Sequence, residues 1–238
     1  METTLTLGSI VADLVRKDNK NVHLSVYPPS DRVRISAPTR MNVDAVRAFA
    51  VSKLVWIKAQ QKQILSQERE APHEYLEREN HYVWGKRYLL RIVERDGPLR
   101  IELKARRLVL ELRPGTAIER REKILDAWYR AQLREAAIPL IAKWEPRFTV
   151  RVDRLFIQRM KTKWGSCSRV ARAIRLNTEL AQKPRECLEY IVVHELVHML
   201  EPNHGAGFVD RMDRAMPPWR QYRRKLNQLP IRHENWLY

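Results

Sequence analysis

The sequence predicts an α+β fold, and three observations lead to that prediction. Residues 82–112 have the pattern of short strands, because alternating apolar positions are separated by turns that contain glycine or proline. Residues 43–57 instead carry apolar side chains at helical spacing. A second helical pattern occurs at Leu188, Ile191 and Val192. Strand-rich and helical segments that are separate along the chain are typical of this class.

The first part of the chain is predicted to contain a hairpin and then a helix. Residues 22–38 alternate around Pro28-Pro29-Ser30-Asp31, which favours a β-hairpin. Asn42 can cap a helix that continues to Ile57. The strand-rich segment follows, with its turns at Trp84-Gly85, Asp96-Gly97-Pro98 and Arg113-Pro114-Gly115.

A long helix is expected after this segment. Thr116 with Glu119 three residues later has the pattern of a capping box, which opens a helix to about Trp144. We therefore divide the chain into an N-terminal α+β region, residues 1–115, and a C-terminal domain, residues 116–238.

The C-terminal domain is predicted to mix strands and helices. Residues 148–157 and 173–177 are expected to be strands on either side of a turn at Trp164-Gly165. A short late helix is indicated by apolar residues ahead of Pro217-Pro218, namely Phe208, Met212 and Met216. The tail segment 233–236 is expected to lie on the surface.

The motif His194-Glu195-Leu196-Val197-His198 carries the most functional information in the sequence. Residues four apart lie on one face of an α-helix, so the two imidazoles can bind one metal ion. Glu195 lies beside them and can act on a metal-bound water without being a ligand. The motif therefore predicts a metal site with its own general base.

The residues around the motif favour a helix. Pro184 suits a first helical turn, and Glu186 and Glu189 place negative charge near the positive end of the helix dipole. Pro202 disfavours a helical conformation at Glu201, so the helix is expected to end there.

A third ligand is needed if the metal is to keep one position for water, and His204 is the nearest candidate. It follows His198 by six residues, as in the longer H-E-x-x-H-x-x-G-x-x-H pattern. The match is incomplete, because Glu201 stands where that pattern has Gly, and Pro202-Asn203 could supply the turn instead. The alternatives are carboxylates: Glu201, Asp210 and Asp213. A histidine-rich ligand set favours Zn²⁺.

Several segments of the sequence resemble the YgjP-like metallopeptidases, which are zinc-dependent hydrolases related to the SprT-like proteases. The resemblance covers most of the chain and is carried by Met160–Ser168, Ile174–Asn177, Ile191–His198 and Asn203-His204, with Phe208 and Trp219 downstream. Val209 departs from the pattern, in which Trp often follows the Phe. The resemblance implies a zincin-like fold for the C-terminal domain, zinc ligands at His194, His198 and His204, and a catalytic base at Glu195.

The Gly-containing turn before residue 166 is a candidate for substrate binding. Lys161, Lys163 and Trp164 lie in it, and a tight loop can bring such side chains beside a ligand. Basic residues also dominate residues 143–175, which indicates a basic surface near the site. Cys167 is interpreted as a packing residue and not as a nucleophile.

The sequence favours hydrolysis of peptide bonds in a protein or peptide substrate, with attack by metal-activated water. A metal-dependent nucleotide hydrolase is the first alternative, since the turn lysines could hold phosphate and Trp164 could stack on a base. A nucleic-acid-binding protein with a structural zinc is the second. The net charge of +17 predicts nonspecific binding of polyanions in either case.

Composition favours a soluble protein of the cytoplasm. No apolar run approaches the ~18 residues of a membrane span, and the first residues lack the features of a secretory signal. The cysteines, Cys167 and Cys187, give no disulfide framework. The sequence does not specify an oligomeric state.

Overall fold

A computed structural model describes residues 2–18, 20–27, 32–66, 69–70, 73–160 and 163–232. Three segments singled out in the sequence therefore lie outside the described residues: the hairpin turn 28–31, Lys161 and the tail 233–236. The α+β class is confirmed, because helices and mixed sheets occur together. The chain forms two compact units, Met1–Glu70 with Pro230–Tyr238, and Ala71–Leu229. The boundary after residue 115 stays a prediction.

The smaller unit contains a sheet with the strand order β1-β2-β4-β3. Its strands are β1 (Glu2–Leu7), β2 (Ile10–Lys17), β3 (His23–Tyr27) and β4 (Arg32–Pro38). Strands β3 and β4 pair antiparallel, which confirms the predicted hairpin, whereas β2 and β4 are parallel. Strand β5 (Arg69–Glu70) pairs in parallel with β13 (Ile231–Arg232).

Two helices of the smaller unit replace the one that the sequence predicted. The predicted cap is confirmed, since the Asn42 side chain accepts a hydrogen bond of 2.7 Å from the backbone N–H of Ala45. Helix α1 (Val43–Ser52) ends at Lys53, and α2 (Leu54–Ser66) follows directly. The apolar spacing runs through Lys53 without a glycine or proline, so the sequence carried no sign of the interruption.

The larger unit begins with a sheet in the order β6-β7-β9-β8, in which β7 and β9 are parallel. Its strands are β6 (Asn80–Val83), β7 (Lys86–Glu94), β8 (Arg100–Lys104) and β9 (Arg107–Leu112). The predicted turns at Trp84-Gly85 and Asp96-Gly97-Pro98 separate β6 from β7 and β7 from β8, and the turn at residues 113–115 follows β9, whereas the turn between β8 and β9 was not predicted. Gly85 and Gly115 adopt positive φ angles of 76° and 73°, a conformation that glycine takes at little cost.

Helix α3 (Ile118–Phe148) starts and ends differently from the prediction. Ala117 occupies the N-cap position without a side-chain cap, and the Thr116 hydroxyl instead donates to the carbonyl of Arg113 at 2.6 Å. The predicted capping box is therefore wrong, because the threonine closes the preceding turn. The helix also continues through Phe148, so the strand predicted from residue 148 begins only at Arg154.

A second sheet has the order β10-β12-β11, with β10 (Arg154–Gln158), β11 (Gly165–Ser168) and β12 (Ala173–Asn177). Strand β12 was predicted with these bounds. The predicted turn at Trp164-Gly165 is in fact the entry to β11, which pairs antiparallel with β12. A short 3-10 helix, η1 (Thr178–Gln182), leads from β12 toward the motif helix.

The remaining helices are α4 (Arg185–His198), α5 (Ala206–Ala215) and α6 (Trp219–Gln228). Helix α4 contains the H-E-x-x-H motif and is largely buried, with Leu188, Val192 and Leu196 fully enclosed in the core. It ends at His198 with Met199 as its C-cap, slightly before the predicted stop at Glu201. Among the described residues, no helix is long and apolar enough to cross a membrane.

Candidate metal centre

Three histidine side chains point their Nε2 atoms at a common point. The Nε2 atom of His198 lies 3.2 Å from that of His194 and 3.1 Å from that of His204, and the third separation is also 3.1 Å. Two nitrogens bound tetrahedrally at about 2.0–2.1 Å from one zinc ion lie about 3.4 Å apart. The arrangement therefore fits a single ion held by three imidazoles.

The backbone fixes which nitrogen of His198 is free to bind a metal. Its Nδ1 atom lies 2.9 Å from the carbonyl oxygen of Glu201. A carbonyl can only accept, so Nδ1 carries the proton and Nε2 carries the lone pair. Such a hydrogen bond behind a metal-binding histidine orients the ring and sets its tautomer.

Phe208 packs against all three imidazole rings. Its ring centroid lies 4.9, 4.8 and 4.7 Å from those of His194, His198 and His204. The side chain comes from the first turn of α5 and is buried. Helix α5 therefore supplies an apolar wall behind the three rings, which limits their rotation.

Burial favours the neutral form of His194 and His204. The pKa of His194 is lowered to about 3, chiefly by burial and further by the nearby His198, His204 and Arg223 charges. The pKa of the more exposed His204 is also lowered, first by burial and then by the charges of His198 and Arg223. A neutral imidazole can donate its lone pair to a metal, so the site is ready for a cation at neutral pH.

The carboxylate of Glu195 lies on the inner side of α4 and is only 4% exposed. Burial raises its pKa to about 8, although the positive charge of Lys163 acts in the opposite direction. Strand β11 covers the carboxylate, since a β-carbon added at Gly165 would lie 2.7 Å from Oε1 of Glu195. A carboxyl group with a pKa near neutrality is suited to proton transfer.

Of the three residues predicted to bind substrate, Lys161 lies outside the described residues. Lys163 is exposed, and Trp164 packs against the core of the larger unit. Asn177 holds the segment on which they lie, because its side-chain amide donates to the carbonyls of Met160 at 2.8 Å and Lys163 at 3.0 Å.

The carboxylates considered as alternative ligands form ion pairs instead. Arg211 donates to Glu201 at 3.1 Å, and Asp210 pairs with Arg214 at 3.0 Å. Asp213 accepts from the Trp219 indole at 2.7 Å and also pairs with a cation, Arg220. Among the described residues, His204 is therefore the side chain whose ligand atom clusters with those of His194 and His198.

Two side chains near the site were not singled out from the sequence. The ring of Tyr190 meets His194 edge-on at 5.8 Å, and its position four residues earlier on the same helix could have indicated this contact. Arg223 lies close enough for its charge to add to the effect of burial in lowering the pKa values of His194 and His204. It sits in a basic run of α6, where the sequence gives no sign of its proximity.

The sequence and the fold were compared with known proteins. The family model of the YgjP-like metallopeptidase domain matches residues 20–229. Among solved structures, the metallopeptidase zymogen jannalysin of Methanocaldococcus jannaschii is similar with 23% identity and a TM-score of 0.35, over 39% of this chain and 94% of that one. The metallopeptidase zymogen abylysin of Pyrococcus abyssi has 16% identity and a TM-score of 0.36, over 40% and 98%. A comparison with curated proteins finds no match.

Proposed function

Because this chain belongs to the YgjP-like metallopeptidase family, we propose that it hydrolyses peptide bonds at the three-histidine site with zinc as its metal. In this proposal His194, His198 and His204 are the zinc ligands, and Glu195 is the general base. Family membership makes the chain a metal-dependent peptidase. The ligands, the identity of the metal and the role of Glu195 are our proposal.

One observation supports the proposal most strongly. Three Nε2 atoms lie within 3.2 Å of one another, and the buried carboxylate of Glu195 is on the same helix as two of them. A set of three imidazoles suits zinc better than the hard cations magnesium and calcium, which prefer oxygen ligands. Three protein ligands are also the number found in catalytic zinc sites, in which substrate or water takes the fourth position.

The chemistry divides between the metal and the protein. A bound zinc ion supplies Lewis-acid polarisation of a carbonyl and makes water acidic enough to attack it near neutral pH. Glu195 accepts the proton of the attacking water and returns it to the leaving amine. The charge of Lys163, which acts on Glu195, favours the ionised carboxylate and hence the form that can accept a proton.

Lys163 has a second role in the proposal. Its exposed ammonium group is on the segment that precedes β11, and β11 packs against Glu195. A cation in that position can stabilise the negative oxygen that develops on the carbonyl during attack. Trp164 follows it and offers apolar surface for a substrate side chain.

A peptide suits this site because of the place of β11 in its sheet. In the described part of the chain, β11 is an outer strand of the order β10-β12-β11. An extended peptide can add to an outer strand through backbone hydrogen bonds. A peptide bound alongside β11 would pass the carboxylate of Glu195, because Gly165 begins this strand.

The experiment compares hydrolysis by the zinc-loaded wild type and Glu195→Gln on unfolded protein, DNA-bound protein and nucleoside triphosphates. Glu135→Gln is the matched control, since this exposed carboxylate lies on α3. We expect peptide products from the wild type and the control but not from Glu195→Gln. Metal-dependent turnover of nucleotides without peptide cleavage would contradict the proposal and favour the nucleotide-hydrolase alternative.

A further inference from the structure

A second group of potential metal ligands lies in the larger unit, away from the H-E-x-x-H motif in sequence. It consists of His73 and Glu79, which are half-buried, and His81, which is only 1% exposed. The donor atoms of the three side chains all lie within 4.8 Å of one another. Imidazole and carboxylate groups enclosed together are unusual unless they are hydrogen-bonded, paired or bound to a metal.

The carboxylate of Glu79 is at the centre of this group. Its Oε1 atom accepts a hydrogen bond from Nδ1 of His73 and lies 4.0 Å from Nε2 of His81. The two imidazole rings are nearly parallel, with an angle of 10° between their planes and 4.4 Å between their centroids. Both rings therefore present a nitrogen to the same carboxylate oxygen from the same side.

The backbone around these residues is well anchored. The second carboxylate oxygen of Glu79 accepts from the N–H of Leu76 at 3.1 Å. The carbonyl of Glu79 accepts from the N–H of Leu90 in β7 at 2.8 Å, and the backbone N–H of Arg78 donates to the carbonyl of Leu90 at 2.8 Å. His81 lies in β6, opposite Tyr88 of β7. Glu79 and His81 are thus held by the backbone of the sheet, as ligands of a metal site should be.

We propose that His73, Glu79 and His81 bind a second divalent metal ion. Two imidazole nitrogens and one carboxylate oxygen suit first-row ions such as zinc, cobalt or nickel, and not the oxygen-preferring magnesium or calcium. The ligand atoms of a tetrahedral site lie about 3.2–3.4 Å apart, so small side-chain rotations from the present positions are sufficient. A shared ion would neutralise the half-buried carboxylate and bind one nitrogen of each ring, and the proton that Nδ1 of His73 now donates to Glu79 would be released to solvent.

The position of this site gives the ion a structural role. Strand β6 leads directly to Trp84 and Gly85, whose N–H groups donate to the carbonyls of Ala181 at 2.8 Å and Gln182 at 3.0 Å in η1. Gly85 also lies against Pro184 at the start of α4, since a β-carbon at Gly85 would be 2.7 Å from Cγ of Pro184. An ion bound at Glu79 would stabilise the strand that supports the start of the motif helix.

Metal stoichiometry tests this inference independently of any activity. The protein is stripped with a chelator, reloaded with zinc alone, desalted and measured by mass spectrometry for zinc per chain. We expect two zinc ions in the wild type and one in His194→Ala/His198→Ala, because the second group is intact in that variant. Adding Glu79→Gln to the double variant should remove the remaining ion, whereas adding Glu74→Gln, an exposed neighbouring carboxylate, should not.

The thermal midpoint provides a second readout. Zinc should raise the midpoint of His194→Ala/His198→Ala and should not raise that of the variant that also carries Glu79→Gln. One zinc ion in the wild type with none in His194→Ala/His198→Ala would overturn the inference. An ion retained by the variant that combines Glu79→Gln with His194→Ala/His198→Ala would also overturn it. These results would leave the proposed peptidase site unaffected, since the wild type alone reports on that site through hydrolysis.

Discussion

Gly165 and Glu195 approach so closely that no side chain fits between them. A β-carbon at position 165 would lie 2.7 Å from Oε1 of Glu195 and 2.9 Å from Cγ2 of Ile191. Contacts below about 3.0 Å force a displacement, and here both neighbours are on the buried face of α4. The glycine is thus required for close packing of β11 on the motif helix and not for an unusual backbone angle.

Gly165→Ala should therefore impair catalysis while metal binding is retained. The added methyl group displaces the carboxylate or the strand by a fraction of an ångström or more, and a misplacement of about 1 Å costs roughly 10²-fold in rate. We expect a decrease in kcat of roughly tenfold to hundredfold, with zinc content unchanged. Steady-state kinetics and metal analysis measure the two effects. Gly97→Ala is the control, because a β-carbon there meets no atom within 4 Å. Equal kcat values for the two variants would contradict this account of Gly165.

Asn177 should be important for the segment that carries Lys163. Its amide donates to the carbonyls of Met160 and Lys163, and its side chain is 4% exposed. Asn177→Ala leaves these carbonyls without their donor, which costs about 1–3 kcal/mol in the free energy of unfolding. We also expect a lower kcat/KM, since Lys163 and Trp164 are no longer fixed. Denaturant unfolding and peptide kinetics test both effects. An unchanged kcat/KM would show that the segment does not take part in substrate binding.

The third metal ligand can be tested by comparing His204→Ala with Glu201→Gln. The Nε2 atom of His204 lies 3.1 Å from those of His194 and His198, whereas the Glu201 carboxylate pairs with Arg211. Removal of a side chain that only hydrogen-bonds to a metal ligand weakens metal binding roughly 10–100-fold. We expect His204→Ala to weaken zinc binding by more than this, because it removes a ligand itself. Glu201→Gln should bind zinc nearly as the wild type does, since the carbonyl that orients His198 is retained. Competition with a chelator of known affinity measures both variants, and the reverse order would make Glu201 the ligand.

The burial of Glu195 predicts a pH dependence of stability in the metal-free protein. Its pKa rises from 4.5 to about 8, so the folded state binds a proton more tightly than the unfolded chain between these values. This contribution to stability is fully present below pH 4.5 and is lost as the pH rises through 8. The lowered pKa of His194 acts in the opposite sense, but only between its folded value of about 3 and its ordinary value of 6.5.

The window from pH 6.5 to 8 therefore isolates Glu195. Over this window, the metal-free wild type should lose about 2 kcal/mol of unfolding free energy relative to Glu195→Gln, since one pH unit per proton corresponds to about 1.4 kcal/mol. Urea unfolding at the two pH values measures this difference. Parallel changes in the wild type and the variant would show that Glu195 is already ionised at pH 6.5.

Much of the local structure could be predicted because its causes lie within a few residues. Helix α4 was predicted from the spacing in His194-Glu195-Leu196-Val197-His198 and from the proline at position 184. Strand β12 was predicted, with its observed bounds, as a short strand after the Trp164-Gly165 segment. The proximity of His204 to the two motif histidines also follows from its short distance along the chain. Where two local signals compete, the prediction was less reliable: Thr116 closes a turn and does not cap α3.

The packing around Glu195 could not be predicted, because it joins residues distant in sequence. Gly165 has the sequence features of a turn, and only the fold shows it as the residue that faces the carboxylate of Glu195. Arg223 and Phe208 likewise reach the histidines from α6 and α5. The pKa of Glu195 depends on this burial, so the sequence identified the candidate base without indicating how its environment changes its acidity.

The most direct test is zinc content together with peptide hydrolysis in the wild type, His198→Ala and Glu195→Gln, with His23→Ala as a control for the loss of an exposed histidine in the smaller unit. We predict that Glu195→Gln retains zinc at the three-histidine site but loses peptide cleavage. His198→Ala should lose the ion at the three-histidine site and peptide cleavage, and the control should keep the ion and the cleavage. Equal loss of zinc in Glu195→Gln and His198→Ala, or peptide cleavage by Glu195→Gln at the wild-type rate, would contradict the assignment of Glu195 as the general base.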